Sequence, residues 1–335
     1  MAQKDTKISV LGDGGWGTAL AILLAQKGYP VQLWGAFPKY VEDVRKKREN
    51  FKFLPGFKIP ESVFLSSDIR KAVLWADMIV LAVPSQYLRS VTQKVKKDKI
   101  HHKLFVTVAK GVETKTLKVM SQVIHDELGR VSLCVLSGPT IAREVAMKIP
   151  AAASVASTNP QNAAKVRKIF MTDYFSVFES DDVLGVELGG SLKNVIAISA
   201  GIVEGLGFGS NTQAALFARG VAEMARLGHA MGARRETFMG LSGLGDLATT
   251  CLSRHSRNRS LGEDIGKGKR LKHILKGTEM VVEGVETSKA AYKLAKRFKI
   301  AMPITEAVYN ILFNNHDPRE AVKALMKPQP YRELD

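Results

Sequence analysis

Six residues near the start, Gly12-Asp13-Gly14-Gly15-Trp16-Gly17, do most to limit what this chain can become. The G-x-G-x-x-G run closes a short β-branched strand, residues 7–11, and Thr18 follows in an apolar helix over 15–27. Each glycine has a physical task in that setting. Gly12 permits the tight turn, Gly14 lets backbone approach a pyrophosphate, and Gly17 lets helix and strand pack closely. The free N–H groups and positive dipole end of the helix then favour phosphate. The pattern alone also fits a plain glycine turn; its place between strand and helix in a first βαβ unit points to a dinucleotide. The second strand ends Leu33-Trp34-Gly35-Ala36, with neither the acid that binds an NAD ribose nor the base that suits NADP. Lys39 and Arg45 lie downstream, so NAD(H) or NADP(H) stays open.

The alternation continues with apolar strands at 31–34, 78–83, 104–109, 132–136 and 152–156, and helical patterns between them at 115–128 and 160–170. Continuous apolar strands separated by helices predict a parallel sheet covered on both faces. After about residue 180 the rhythm changes. Residues 183–204 read as one long apolar helix rich in small residues, and Asn211 resembles an N-cap for a helix running to about 231. Segments 287–298 and 305–314 are amphipathic at helical spacing. The fold class is therefore α/β: a doubly wound, Rossmann-like domain over residues 1–180, then an all-helical domain over 181–335. A length of 335 residues suits two such domains, each with its own core. The ends, 1–6 and 327–335, are expected to be loose.

At 45% hydrophobic and 24% charged, the composition excludes general disorder. Two cysteines, Cys134 and Cys251, make neither a disulfide framework nor a four-ligand zinc site, and His101-His102 lacks a partner motif, so no metal is expected. The polar start has no signal-peptide pattern. No run of about 18 uninterrupted apolar residues suggests a membrane span, and the longest apolar region, around 195–208, is cut by Glu204 and glycines. These features point to the cytoplasm. The 49 Lys+Arg against 32 Asp+Glu give +17, a field that attracts polyanions: nucleic acid, a membrane surface or phosphorylated small molecules. Runs such as 45–48 and 94–97 read most simply as solvated helix ends.

Two further stretches carry candidate chemistry. Lys193 lies in the apolar helix with small neighbours one turn away, Gly189, Gly190 and Ala197, which leave space above the ammonium for a ligand. Either burial lowers its pKa toward proton transfer, or the side chain snorkels to solvent; the residues favour neither. Asp246 follows glycines and precedes an apolar turn, as a helix N-cap or as a carboxylate aimed into a cleft. Ser256, Arg257 and Asn258 come soon after, and an Arg-Asn pair offers donors suited to a phosphate. Singly, these are ordinary loop residues.

Taken together, the motifs resemble the NAD(P)-dependent glycerol-3-phosphate dehydrogenases of the bacterial biosynthetic type. The resemblance runs from Val10 to about Met326. It is carried by residues 11–20, Ala82-Val83-Pro84-Ser85, Ala109-Lys110-Gly111, Leu136-Ser137-Gly138-Pro139-Thr140, residues 187–197, residues 243–251 and Val281-Val282-Glu283-Gly284. It implies that the first domain holds the dinucleotide and the helical domain closes the substrate cleft. The reaction implied is reversible hydride transfer between nicotinamide and C2 of dihydroxyacetone phosphate, giving sn-glycerol 3-phosphate for glycerophospholipid synthesis. On this resemblance Lys193 exchanges the proton with the carbonyl oxygen. Asp246 orients it, Asn194 and Thr250 line the same network, and Lys110 polarises the carbonyl and holds substrate. Arg257 and Asn258 grip the phosphate with Ser256, Gly138 and Thr140 nearby. Gly15, Trp16, Ala142, Val281 and Glu283 complete the cofactor pocket begun by Gly12, Gly14 and Gly17, with Lys110 and Arg257 also reaching the cofactor.

Fixed cations suit a developing alkoxide, and a remote phosphate suits positioning. Relatives often carry Ser at Gly15, a change the backbone contact should tolerate, and many carry Arg or His at Ala36. A homodimer is the family expectation; nucleic acid and an integral membrane segment are not. Two alternatives stand beside this one. A related β-hydroxyacid dehydrogenase should lack the 245–250 stretch paired with Arg257-Asn258. A dinucleotide-sensing nucleic-acid-binding regulator would want a separate helix-turn-helix, and none is evident.

Overall fold

The computed structural model describes residues 5–95, 100–278 and 280–327. Most of both chain ends, and the close of the 94–97 charge run, lie outside the described residues. Eight strands form one sheet: β1 Ile8–Leu11, β2 Val31–Trp34, β3 Val63–Ser66, β4 Met78–Leu81, β5 Leu104–Thr107, β6 Ser132–Ser137, β7 Ala151–Ala156 and β8 Phe175–Ser180. Their order is β3-β2-β1-β4-β5-β6-β7-β8. Around them lie α1 Gly15–Gln26, α2 Pro38–Lys47, α3 Ile69–Trp75, α4 Leu88–Thr92, α5 Met120–Leu128, α6 Ala142–Ala146 and α7 Pro160–Phe170.

Strand alternation explains the two layers. Ile8 and Val10 of β1, with Met78 and Val80 of β4, enter a core with α1, α2 and α7. Leu11, Ile79 and Leu81, from the opposite face, enter a second core with α3, α4 and α5. Successive side chains of a strand point to opposite faces, so strands buried on both must be apolar throughout. The exception in β1, Ser9, donates its hydroxyl to the carbonyl of Ala72 on α3 at 2.7 Å.

The sheet is mixed, a correction to the all-parallel expectation: β6 and β7 pair antiparallel, Val135 opposite Ala156, while every other pair is parallel. β3 and β8 were not expected as strands. β3 is an edge strand with Phe64 exposed, and in β8 buried and exposed positions alternate, so no continuous buried run marks either.

The helical region contains α8 Val183–Gly205, α9 Ser210–Ala230, α10 Asp246–Leu252, α11 Arg257–Gly266, α12 Leu271–Lys276, α13 Glu283–Phe298, α14 Pro303–Asn314 and α15 Pro318–Met326. α8 is long and apolar enough to cross a membrane, yet its apolar stretch is fully buried inside the protein. Its small residues serve helix packing. A Cβ on Gly201 would lie 2.0 Å from the Arg259 carbonyl, and one on Gly262 would lie 2.0 Å from that of Ile198. Backbone therefore meets backbone where α8 and α11 cross. α9 starts at Ser210 with Gly209 as N-cap, two residues earlier than Asn211 suggests. α14 has no local cap; buried Glu223 of α9 accepts from Ile304 N at 2.6 Å and Thr305 N at 3.1 Å instead. Burial still pushes that carboxyl up to about 7.

The chain divides into two compact units. One holds the residues up to Ala109 with Met120–Val183; the other holds Lys110–Val119 with the residues from Leu184 on. Helix α5 therefore begins at Met120 rather than 115. The segment before it bends back on itself, Val112 bridging Val119, and both valines join the helical core.

Candidate active site

In the helical unit, α8 carries Lys193 into the interior, where it is 6% exposed. The other half of the arrangement comes from a π-helical turn, Leu241–Gly245, that delivers Asp246 as the first residue of α10. Such turns offset side chains that a regular helix would stack. Asp246 is therefore not the cap; Gly245 is. Its carboxylate accepts from Lys193 Nζ on Oδ1 at 2.6 Å and from Lys110 Nζ on Oδ2 at 2.7 Å. Lys193 also donates to Thr250 Oγ1 at 2.5 Å, and Thr250 donates to the Asp246 carbonyl at 2.6 Å. The ammonium thus spends two of its three hydrogens on protein.

Burial is the main force on Lys193 and pulls its pKa down to about 8, with the Lys110 charge acting the same way and Asp246 opposing both. The choice left open by the residues falls against snorkelling. The space above Gly189 is not a ligand's: a Cβ there would lie 2.7 Å from the Ser242 carbonyl, so this glycine admits the backbone of the π-helical turn.

Asn194 lies beside Lys193 on α8 and accepts from Asn258 Nδ2 at 2.8 Å, while Asn258 Oδ1 accepts from Gly284 N at 2.9 Å. The Asn258 amide therefore ties α8 to the start of α13, which leaves one N–H for any ligand. Ser256 caps α11, accepting from Arg259 N at 3.2 Å. Exposed Arg257 donates to the Val281 carbonyl at 2.7 Å and has Glu283 as a charged neighbour. Arg257, Val281 and Glu283 thus come together.

The first unit holds the glycine turn. Gly12 has φ +124°, and a Cβ there would meet the Ala82 backbone at 2.7 Å; one on Gly17 would lie 1.9 Å from the Gly12 carbonyl. Of the four glycines in this turn, Gly14 alone would have nothing within 4 Å. This is the open cradle that a pyrophosphate needs, at the N-terminus of α1. Asp13 Oδ2 and Trp16 Nε1 are buried without hydrogen-bond partners among the described residues, and the Trp16 ring meets Phe175 edge-on at 6.3 Å. Open space and orphaned polar atoms fit a dinucleotide. Ala142 opens α6, its Cβ 3.8 Å from where a Cβ on Gly15 would stand. In the same unit, Thr140 Oγ1 donates to the Gly138 carbonyl at 3.1 Å.

Sequence reasoning missed Asn50. Fully buried, it donates to the Asp13 carbonyl and to Thr18 Oγ1, both at 2.7 Å, and accepts from Tyr40 at 2.6 Å. It fastens the glycine turn from a loop whose local sequence gives no sign of it.

A family model described as NAD-dependent glycerol-3-phosphate dehydrogenase N-terminus matches residues 7–163, and its C-terminal counterpart matches 182–323. The chain belongs to this family. It is 49% identical over 331 residues to a glycerol-3-phosphate dehydrogenase (NAD(P)+) of Syntrophotalea carbinolica, spanning 98% of this chain and 99% of that one. Identity to a protein of the same description from Carboxydothermus hydrogenoformans is 48%, across 98% of both chains. A crystal structure of glycerol-3-phosphate dehydrogenase from Coxiella burnetii superposes with a TM-score of 0.93 at 37% identity, spanning 96% of this chain and 99% of that one.

One expectation drawn from the family does not suit this member. A Cβ on Gly15 would lie 2.6 Å from the Phe53 carbonyl, so serine is not freely tolerated here. Gly15→Ser is expected to cost about 1–3 kcal/mol of stability, the usual range for overpacking, and to weaken NADH binding as the turn shifts. Thermal melting with a fluorescence titration of NADH checks both; unchanged values would contradict the collision.

Proposed function

We propose that this chain is an NAD(P)H-dependent glycerol-3-phosphate dehydrogenase, reversibly reducing dihydroxyacetone phosphate to sn-glycerol 3-phosphate for glycerophospholipid synthesis. The observation that carries the reading is the buried ammonium of Lys193 held against Asp246 and Thr250, with Lys110 on the far oxygen of the same carboxylate. The turn around Gly12, Gly14 and Gly17, with Trp16 and Ala142, holds the dinucleotide. When bound, its nicotinamide supplies the reducing equivalent or takes it back.

Lys193 Nζ directs its remaining hydrogen at the C2 oxygen and gives up a proton as that oxygen gains charge; in the other direction the neutral amine accepts it. Asp246 and Thr250 fix the ammonium before substrate arrives, so little reorganisation is needed as charge develops. Lys110 adds a second cation and lowers the cost of releasing the Lys193 proton. Arg257, with the remaining N–H of Asn258, receives the substrate phosphate. The partner is thus a small phosphorylated triose rather than nucleic acid, and the charge of +17 favours its capture. The enzyme works in the cytoplasm as a homodimer.

Decay of NADH or NADPH absorbance on adding dihydroxyacetone phosphate tests the reading, and no substrate-dependent decay would refute it. The pH profile is a finer check. Reduction needs charged Lys193, so its rate should fall as pH rises through about 8, while oxidation of glycerol 3-phosphate should rise over the same interval. In Lys110→Met both limbs should move to higher pH, because the charge that helps depress Lys193 is gone.

A further inference from the structure

The glycine turn carries a carboxylate that the chemistry above does not use. Asp13 stands between Gly12 and Gly14, and its Oδ2 is buried with no hydrogen-bond partner among the described residues. Gly35 explains where that side chain goes. A Cβ on Gly35 would lie 2.2 Å from Oδ2 and 2.5 Å from Cγ of Asp13. The carboxylate therefore fills the space that a side chain just past β2 would occupy. Ala36 and Phe37, which follow, bring neither acid nor base.

Among the described residues, no cation is paired with this group. Arg45, one of the two bases downstream of β2, is bound to Glu42 and to the Leu65 carbonyl. Burial pushes the Asp13 carboxyl up to about 6, with only its own backbone amide acting against the rise. A buried acceptor left unpaired is costly, and native proteins keep few such groups without a ligand or a functional reason.

In dinucleotide folds the adenosine ribose is read at the end of the second strand, where an acid takes the hydroxyls of NAD and a base takes the phosphate of NADP. Here the strand is blank and the turn beside it supplies the acid. We propose that Asp13 sets cofactor preference: its carboxylate, laid over Gly35, accepts hydrogen bonds from the ribose hydroxyls of NAD(H) and repels the 2′-phosphate of NADP(H). The chain is then an NAD(H)-preferring member of its family. This rests on the reading that the first unit holds a dinucleotide.

The test is direct binding, by fluorescence titration of NADH and NADPH and by calorimetry with ADP-ribose and its 2′-phosphate. The unaltered enzyme should bind NADH at least about 10-fold more tightly than NADPH. Asp13→Ala should weaken NADH by about 10- to 100-fold, the range for a hydrogen bond to a charged group, without weakening NADPH. Asp13→Asn, which keeps an acceptor but no charge, should lose most of the discrimination at a smaller cost to NADH. Gly35→Ala, whose methyl must displace the carboxylate, should narrow the preference as Asp13→Ala does. Equal affinities in the unaltered enzyme, a preference for NADPH, or a ratio unmoved by Asp13→Ala would overturn the proposal. Failure of both dinucleotides to bind would instead remove the dehydrogenase reading beneath it.

Discussion

Lys193→Met should lower kcat for dihydroxyacetone phosphate reduction by about 10²- to 10⁴-fold, the usual contribution of a positioned acid or base, while NADH affinity stays near that of the unaltered enzyme. Methionine keeps most of the apolar stem that α8 packs around, so the fold should survive. The buried position also loses a charge that desolvation penalises. Stopped-flow mixing of the preformed NADH complex with substrate separates the chemical step from binding. A variant retaining a tenth or more of the original single-turnover rate would show that another group moves the proton.

Asp246→Ala should be damaging in a different way. The carboxylate is the shared counter-charge of Lys193 and Lys110, and it is 2% exposed. Removing one partner of a buried ion pair typically costs about 3–5 kcal/mol, so Tm should fall by many degrees. The carboxylate also holds the Lys193 pKa up against burial and the Lys110 charge. Without it the amine should be largely neutral at neutral pH, and the fall in reduction rate should move to lower pH. Asp246→Asn separates the effects, since it keeps the shape and an acceptor but not the charge. A pH profile for that variant matching the original would exclude an electrostatic role for Asp246.

The glycine turn and the strand–helix rhythm were legible because both depend on local rules: a tight turn needs glycine, and a strand covered on both faces must be apolar. The long α8 was legible for the same reason. What the sequence hid are relations between distant segments. Lys193 and Asp246 stand 53 positions apart, and only the π-helical turn at 241–245 brings the carboxylate under the amine. The role of Gly189 was misread because a small residue looks the same whether it admits a ligand or a neighbouring backbone. Gly15 posed the same problem, its tight contact being a carbonyl from a loop 38 positions on. Asn50 had no local mark at all. The antiparallel β7 escaped notice because apolar content reveals burial, not direction.

The short segment Lys110–Val119 leaves β5, joins the helical unit and returns to α5. Protein made from residue 184 onward would begin without the ammonium that completes the Asp246 pairing, and without two valines of its core. Chimaeras joined near residue 180 would transplant a foreign ten-residue insert into the recipient's helical unit. Recombination between relatives should therefore succeed when 110–119 travels with the C-terminal partner and fail more often when it stays behind.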